Sequence, residues 1–122
     1  MKRSYAESTS YVTKDGSLIR ELIHPLQGIP STMSLAEALI PPGVKTLLHV
    51  HQESHEIYYI LQGSGGMQLG DEDFGITAGD SILILPRTPH RVSNTGENDL
   101  KILCCCTPPY SHEDTEICDV MT

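Results

Sequence analysis

Several features that would assign this chain quickly are missing from it. No apolar run approaches the roughly 20 residues that a membrane-spanning helix needs, and no apolar stretch follows the basic pair in Met1-Lys2-Arg3-Ser4. No secretory signal is read there, so a cytoplasmic protein with no membrane partner is expected. Basic residues are scarce: 8 Lys and Arg stand against 16 Asp and Glu, a net charge of −8. Binding to a phosphate backbone depends on clustered Lys and Arg, so no nucleic-acid partner is expected. There is no Cys-x-x-Cys pair, which argues against a structural zinc knuckle. The 4 cysteines are Cys104, Cys105, Cys106 and Cys118. Neighbouring residues on a strand face opposite ways, so the contiguous trio cannot pair internally without distortion. Reduced thiols in a reducing compartment fit this pattern. Internal repeats, low-complexity segments and a sustained helical period are absent too.

What the chain does have is turn chemistry at short intervals. Asp15-Gly16, Pro41-Pro42-Gly43, Gly63-Ser64-Gly65-Gly66, Gly70-Asp71, Gly79-Asp80 and Asn94-Thr95-Gly96 punctuate short apolar or alternating runs. Turns spaced about 8 to 12 residues apart indicate an all-β fold. The strands expected are 17–23, 33–40, 45–51, 56–62, 67–69, 74–77, 81–85, 90–93 and 99–107. A length of 122 residues suits one domain, 1–122, with one core. Within it, 1–13 is expected as an arm or edge strand, and 110–122 as an acidic tail wrapping the surface.

The chain is organised around Gly43 to Gly63. His49 and His51 are two residues apart, so on a strand both imidazoles point the same way. Glu56 opens the next apolar run, and the intervening loop can fold its carboxylate back beside them. His90 follows the Pro-rich corner Pro86-Arg87-Thr88-Pro89, where a strand re-enters the sheet. Imidazoles and a carboxylate suit one divalent transition metal: Fe, Mn, Ni, Cu, Co or Zn. His55, on the loop and on the opposite face from Glu56, is a weaker rival. Tyr58 shares the face of Glu56 and is the catalytic candidate, since a phenol beside a metal can donate a hydrogen bond or a proton.

These stretches resemble the paired motifs of the cupin superfamily. The first motif is Gly, five residues, His-x-His, three or four residues, Glu, six residues, Gly. Gly43, His49, His51, Glu56 and Gly63 meet it at every anchor. The second is Gly, five residues, Pro-x-Gly, two residues, His, three residues, Asn. Gly79, His90 and Asn94 meet it, whereas Leu85 and Arg87 stand in place of its Pro and Gly. The resemblance implies a small jelly-roll barrel of the double-stranded β-helix type, with a metal inside one end. It implies a small single-domain member with His49, His51, Glu56 and His90 as ligands, in a family whose small members are commonly homodimers.

Fold alone does not choose a function. The expected one is a metalloenzyme of dioxygenase, decarboxylase or isomerase type. Its substrate would be a small oxygen-chelating organic acid, sugar acid or enol-type molecule. The alternative is a non-catalytic small-ligand or carbohydrate binding module with a structural metal. The inward wall is expected to be mainly apolar: Tyr58, Ile60, Met67, Leu69, Ile102, Cys104 and Cys106. A homodimer is expected to cover Leu18, Ile19, Leu22 and Ile23 of the N-terminal strands.

Overall fold

The structure, a computed structural model, describes residues 1–118. In chain order the strands are β1 (Ser10–Val12), β2 (Leu18–Ile23), β3 (Ser34–Ile40), β4 (His49–His51), β5 (His55–Gln62), β6 (Ser64–Leu69), β7 (Glu72–Thr77), β8 (Ser81–Ile84), β9 (His90–Ser93), β10 (Leu100–Thr107) and β11 (Thr115–Ile117). Single 3-10 turns lie at Tyr5–Glu7 and Pro25–Gln27. None of the described helices is long and apolar enough to cross a membrane.

Alternation along the strands decides which faces meet. β3 buries Ser34, Ala36, Ala38 and Ile40, β5 buries Glu56, Tyr58 and Ile60, and β10 buries Leu100, Ile102, Cys104 and Cys106. These strands belong to a six-stranded antiparallel sheet in the order β1-β2-β3-β10-β5-β8. A second, five-stranded sheet runs β11-β4-β9-β6-β7. Met67, Ile76 and Val92 from the second sheet pack against Ile40, Ile60, Ile84, Leu100 and Ile102 from the first. Ile60 and Leu100 are fully buried, each contributing roughly 1.5–3 kcal/mol of transfer free energy. Two antiparallel sheets closing on one core make the expected jelly roll.

The motif residues outside the metal set are structural. Gly63 adopts φ +89°, and a Cβ there would lie 2.7 Å from the Asp99 carbonyl oxygen, so only glycine fits the β5–β6 turn. Asn94 ties three segments together: its Nδ2 donates to the Ile40 and Asn98 carbonyls, and its Oδ1 accepts from the Gly96 N–H. Arg87 holds φ +62° at the position where the family motif has glycine. Its N–H donates to the His51 carbonyl at 2.7 Å. The corner geometry therefore survives the replacement, with the exposed Arg87 carrying left-handed strain of about 1 kcal/mol.

The N-terminal arm holds an edge strand, β1, paired with β2, one of the two forms expected of it. The tail does more than wrap the surface: β11 pairs antiparallel with β4, placing Thr115 opposite His51. Residues 119–122 of that tail lie outside the described residues. The first ligand strand is shorter than the expected 45–51, since regular pairing covers only His49–His51 and Lys45 makes an isolated bridge with Ser93.

Candidate metal centre

His49 and His51, two apart on β4, point inward together and are 3% and 4% exposed. β9 lies beside β4 with His90 directly opposite His49, and His90 is fully buried. β5 brings Glu56 to the same point. The loop between β4 and β5 is held in shape by Asp114, whose carboxylate accepts from the Glu53 and Ser54 N–H groups at 2.8 and 3.1 Å. Glu56 Oε1 then lies 3.1 Å from His51 Nε2 and 3.5 Å from His90 Nε2. One ring nitrogen from each of His49, His51 and His90 falls within 4.8 Å of the others. Bonds of 2.0–2.1 Å to one ion place ligand atoms about 3–4 Å apart, so a small closure completes the shell.

The outer ring nitrogens decide what the inner ones offer. His49 Nδ1 faces the Leu47 carbonyl at 2.9 Å, and His90 Nδ1 faces the Thr88 carbonyl at 2.9 Å. A carbonyl only accepts, so both rings carry their proton on Nδ1. His51 Nδ1 lies 3.0 Å from Thr115 Oγ1, whose own proton is spent on the Ser111 carbonyl at 2.8 Å. That hydroxyl therefore accepts from His51 as well. The inner nitrogens converge beside Glu56; His49 and His51 line the cavity there, and fully buried His90 reaches Glu56 from behind its wall. Oε1 of Glu56 and Nε2 of His90 are buried without a hydrogen-bond partner, since a ring protonated on Nδ1 has no proton on Nε2 to give the carboxylate. Converging lone pairs around an orphaned carboxylate oxygen fit a cation.

The electrostatics agree. Burial opposes ionisation of Glu56, but the adjacent His51 and His90 outweigh it and hold the carboxyl well below its usual range. Burial, with His90 alongside, pushes His49 down to about 4 although Asp15 opposes this, so the ring is neutral at pH 7. Burial also disfavours a His51 cation, yet Glu56 prevails and raises that pKa. A proton and a metal ion therefore compete for His51 Nε2. Cys106 donates its thiol to the second Glu56 oxygen, Oε2, at 3.2 Å. Burial raises the pKa of both Cys104 and Cys106, so they remain neutral thiols and poor ligands.

A family model described as the cupin domain matches residues 36–106. The chain belongs to the cupin family. An uncharacterised protein of Methanocaldococcus jannaschii is 56% identical over 117 residues, covering 96% of this chain and 94% of that one. An oxalate-binding protein of Thermotoga maritima is 30% identical over 113 residues, covering 80% of this chain and 93% of its own. Among solved structures, the nucleoside dehydratase Pac13 shares the fold with a TM-score of 0.78 at 17% identity, covering 100% of this chain and 93% of that one.

In this cupin His49, His51, Glu56 and His90 meet at one end of the barrel. Tyr58 lines the same cavity, its ring edge-on to His90 with centroids 5.9 Å apart. His55 is exposed and points away. The wall departs from the expected apolar set. Tyr58, Cys104 and Cys106 line the cavity as expected, but Ile60, Met67 and Ile102 lie in the core and Leu69 packs against it; the rest of the wall comes from β1, β2, β3 and the segment around Tyr110 and Thr115. Asp15 is the clearest residue missed. Asp-Gly reads as a turn, and that turn docks on the segment before β4 through the Leu47 N–H, which donates to the Asp15 carbonyl. Ser17 pins Asp15 Oδ1 through its N–H and hydroxyl, leaving Oδ2 3.6 Å from His49 Nε2. Thr115 and Glu21 were missed too, since neither carries a motif.

Replacing His51 by Ala removes one convergent donor and should abolish stoichiometric metal in elemental analysis, whereas His55→Ala should leave occupancy unchanged. Because the ion displaces a proton from His51, metal affinity should fall as pH is lowered. Full occupancy in His51→Ala, or affinity that rises on acidification, would contradict the assignment.

Proposed function

We propose that this protein is a metalloenzyme: His49, His51, Glu56 and His90 hold one divalent transition metal, and a small oxygen-chelating substrate binds at the open side. Organic acids, sugar acids and enol-type molecules form the substrate class, with decarboxylase, dioxygenase or isomerase chemistry. The observation that carries this reading is the convergence of three ring nitrogens within 4.8 Å of one another, beside a cavity lined by His49, His51 and Glu56. The space inside for water-sized centres is about 40 Å³, roughly that of a few waters. A chelating head of a few atoms fits there. The ion would supply Lewis-acid polarisation of the substrate oxygens and, if redox-active, access to oxygen chemistry.

The chain's own groups have separable tasks. The imidazoles and Glu56 hold the ion, and the Cys106 thiol fixes the carboxylate's second oxygen. Tyr58 is the proposed hydrogen-bond donor to a bound substrate oxygen. Burial, with the Glu56 charge next, raises its pKa well above the phenol value, so the hydroxyl keeps its proton. Binding without turnover is the second reading, favoured by the 30% identical relative named as an oxalate-binding protein.

A homodimer is also proposed, through a face other than the one expected from the N-terminal strands. Ile19 packs against the core. The exposed apolar side chains instead cluster on the outer side of β5 and β8: Ile57, Tyr59, Leu61 and Leu83 are each more than 40% exposed, and Leu85 follows directly. Their register, Ile57 opposite Leu83, makes one continuous patch at a sheet edge.

Tyr58→Phe should keep full metal content while lowering turnover of any active chelating substrate by about 100-fold or more. Unchanged turnover would remove Tyr58 from the chemistry. For assembly, light scattering at micromolar concentration should give a dimer mass for the natural protein and a monomer for Leu83→Glu. A monomeric natural protein would refute the dimer.

A further inference from the structure

The cavity wall carries a second polar group with no role so far. Glu21, on β2, faces inward beside Tyr11 of β1, and the Tyr11 hydroxyl donates to Glu21 Oε1 at 3.0 Å. The other oxygen, Oε2, is buried without a hydrogen-bond partner. An orphaned buried acceptor costs about 1–3 kcal/mol unless something donates to it. Tyr11, Glu21 and Tyr110 line the metal cavity and also a larger cleft just outside it, which Leu26, Gln27, Pro109 and His112 line too. Glu21 therefore stands at the passage between the two, where any ligand too long for the inner space must go by.

Carboxylates dominate the charge around this passage. Asp15, Glu21 and Glu56 line the inner cavity, Glu113 lines the outer cleft, and no Lys or Arg lines either. The nearby cations are engaged elsewhere. Lys14 donates to the His112 and Thr115 carbonyls, and Arg20 donates to the Ser8 carbonyl and lies 4.5 Å over the Tyr5 ring. Both ring nitrogens of His24 are occupied, by the Leu26 N–H and the Tyr110 carbonyl. His112 also lines the outer cleft, with its Nδ1 3.2 Å from the Tyr110 hydroxyl. With one divalent ion inside, a second carboxylate on the ligand would meet mostly like charge, and no Lys or Arg to pair with.

We propose that Glu21 is a specificity residue that accepts a hydrogen bond from a ligand hydroxyl, so that the ligand is a polyhydroxylated molecule with at most one carboxylate. This rests on the metal centre proposed above. Its chelating head occupies the inner cavity, a hydroxyl further along donates to Glu21 Oε2, and the remainder extends into the outer cleft. Of the substrate classes considered, sugar acids fit this description and simple dicarboxylates do not.

The test uses cobalt-loaded protein whose metal content is first verified by elemental analysis, titrated by calorimetry and by the visible cobalt spectrum. Threonate and 2-hydroxybutanoate share an α-hydroxy-acid head, but only threonate carries further hydroxyls. Natural protein should bind threonate about tenfold more tightly than 2-hydroxybutanoate. Glu21→Gln should erase most of that difference and tighten malonate binding severalfold. Equal binding of the two hydroxy acids, or weaker malonate binding in Glu21→Gln, overturns the proposal. The comparison in natural protein needs no variant, so a misfolded Glu21→Gln does not block it. Full metal content with no binding of any of these ligands overturns the substrate class while leaving the metal centre intact, whereas failure to load cobalt overturns both.

Discussion

The site depends on hydrogen bonds that point away from it. Leu47, Thr88 and Thr115 each accept a hydrogen bond from the outer nitrogen of an imidazole, and that sets the tautomer and the aim of the inner nitrogen. Two of these acceptors are backbone carbonyls two residues before the histidine they orient, so the strand entry that delivers the side chain also fixes its protonation. The third is a hydroxyl held by Ser111 on the chain's last described strand segment. Removing such an outer partner weakens metal binding without touching a ligand.

The rest of the cavity follows from charge. Glu56 is fully buried and ionised, sustained by the imidazoles at 3.1 and 3.5 Å. A buried carboxylate without counter-charge is costly. Asp15 adds another oxygen beside His49, and Glu21 a third carboxylate toward the mouth. Neutral thiols, phenols, hydroxyls and small apolar side chains line the remaining wall. Such a lining concentrates positive charge at one point and leaves donor groups as the preferred decoration of whatever chelates it.

Much of this was legible from residue spacing. The i, i+2 histidines, the later Glu56 and the Pro-rich corner before His90 have a local cause, strand alternation, that sequence exposes directly. The all-β class was legible through turn residues at short intervals, and the jelly roll through the resemblance to the cupin motifs. What was hidden depends on contacts distant in sequence. Asp15 is written as a turn residue and acts as one, but docking of that turn on Leu47 also carries its carboxylate to His49. Thr115 reaches His51 only because the tail pairs with β4, and a short polar segment gives no strand signal of its own. The wall was misassigned because alternation tells which face is inward but not how far along the barrel the core ends and the cavity begins. Ile60 and Ile102 share the inward face of Tyr58 and Cys104, yet lie on the core side of that boundary.

The central claim is that imidazole nitrogens and the Glu56 carboxylate, with no thiolate, surround a single ion. X-ray absorption spectroscopy of protein purified with its metal and measured at that metal's edge addresses this directly. The account predicts a shell of nitrogen and oxygen at roughly 2.0–2.2 Å, with the outer-shell scattering of three imidazoles. A sulfur scatterer at roughly 2.3 Å, bringing Cys104 or Cys106 into the shell, or scattering from fewer than three imidazoles, would contradict it.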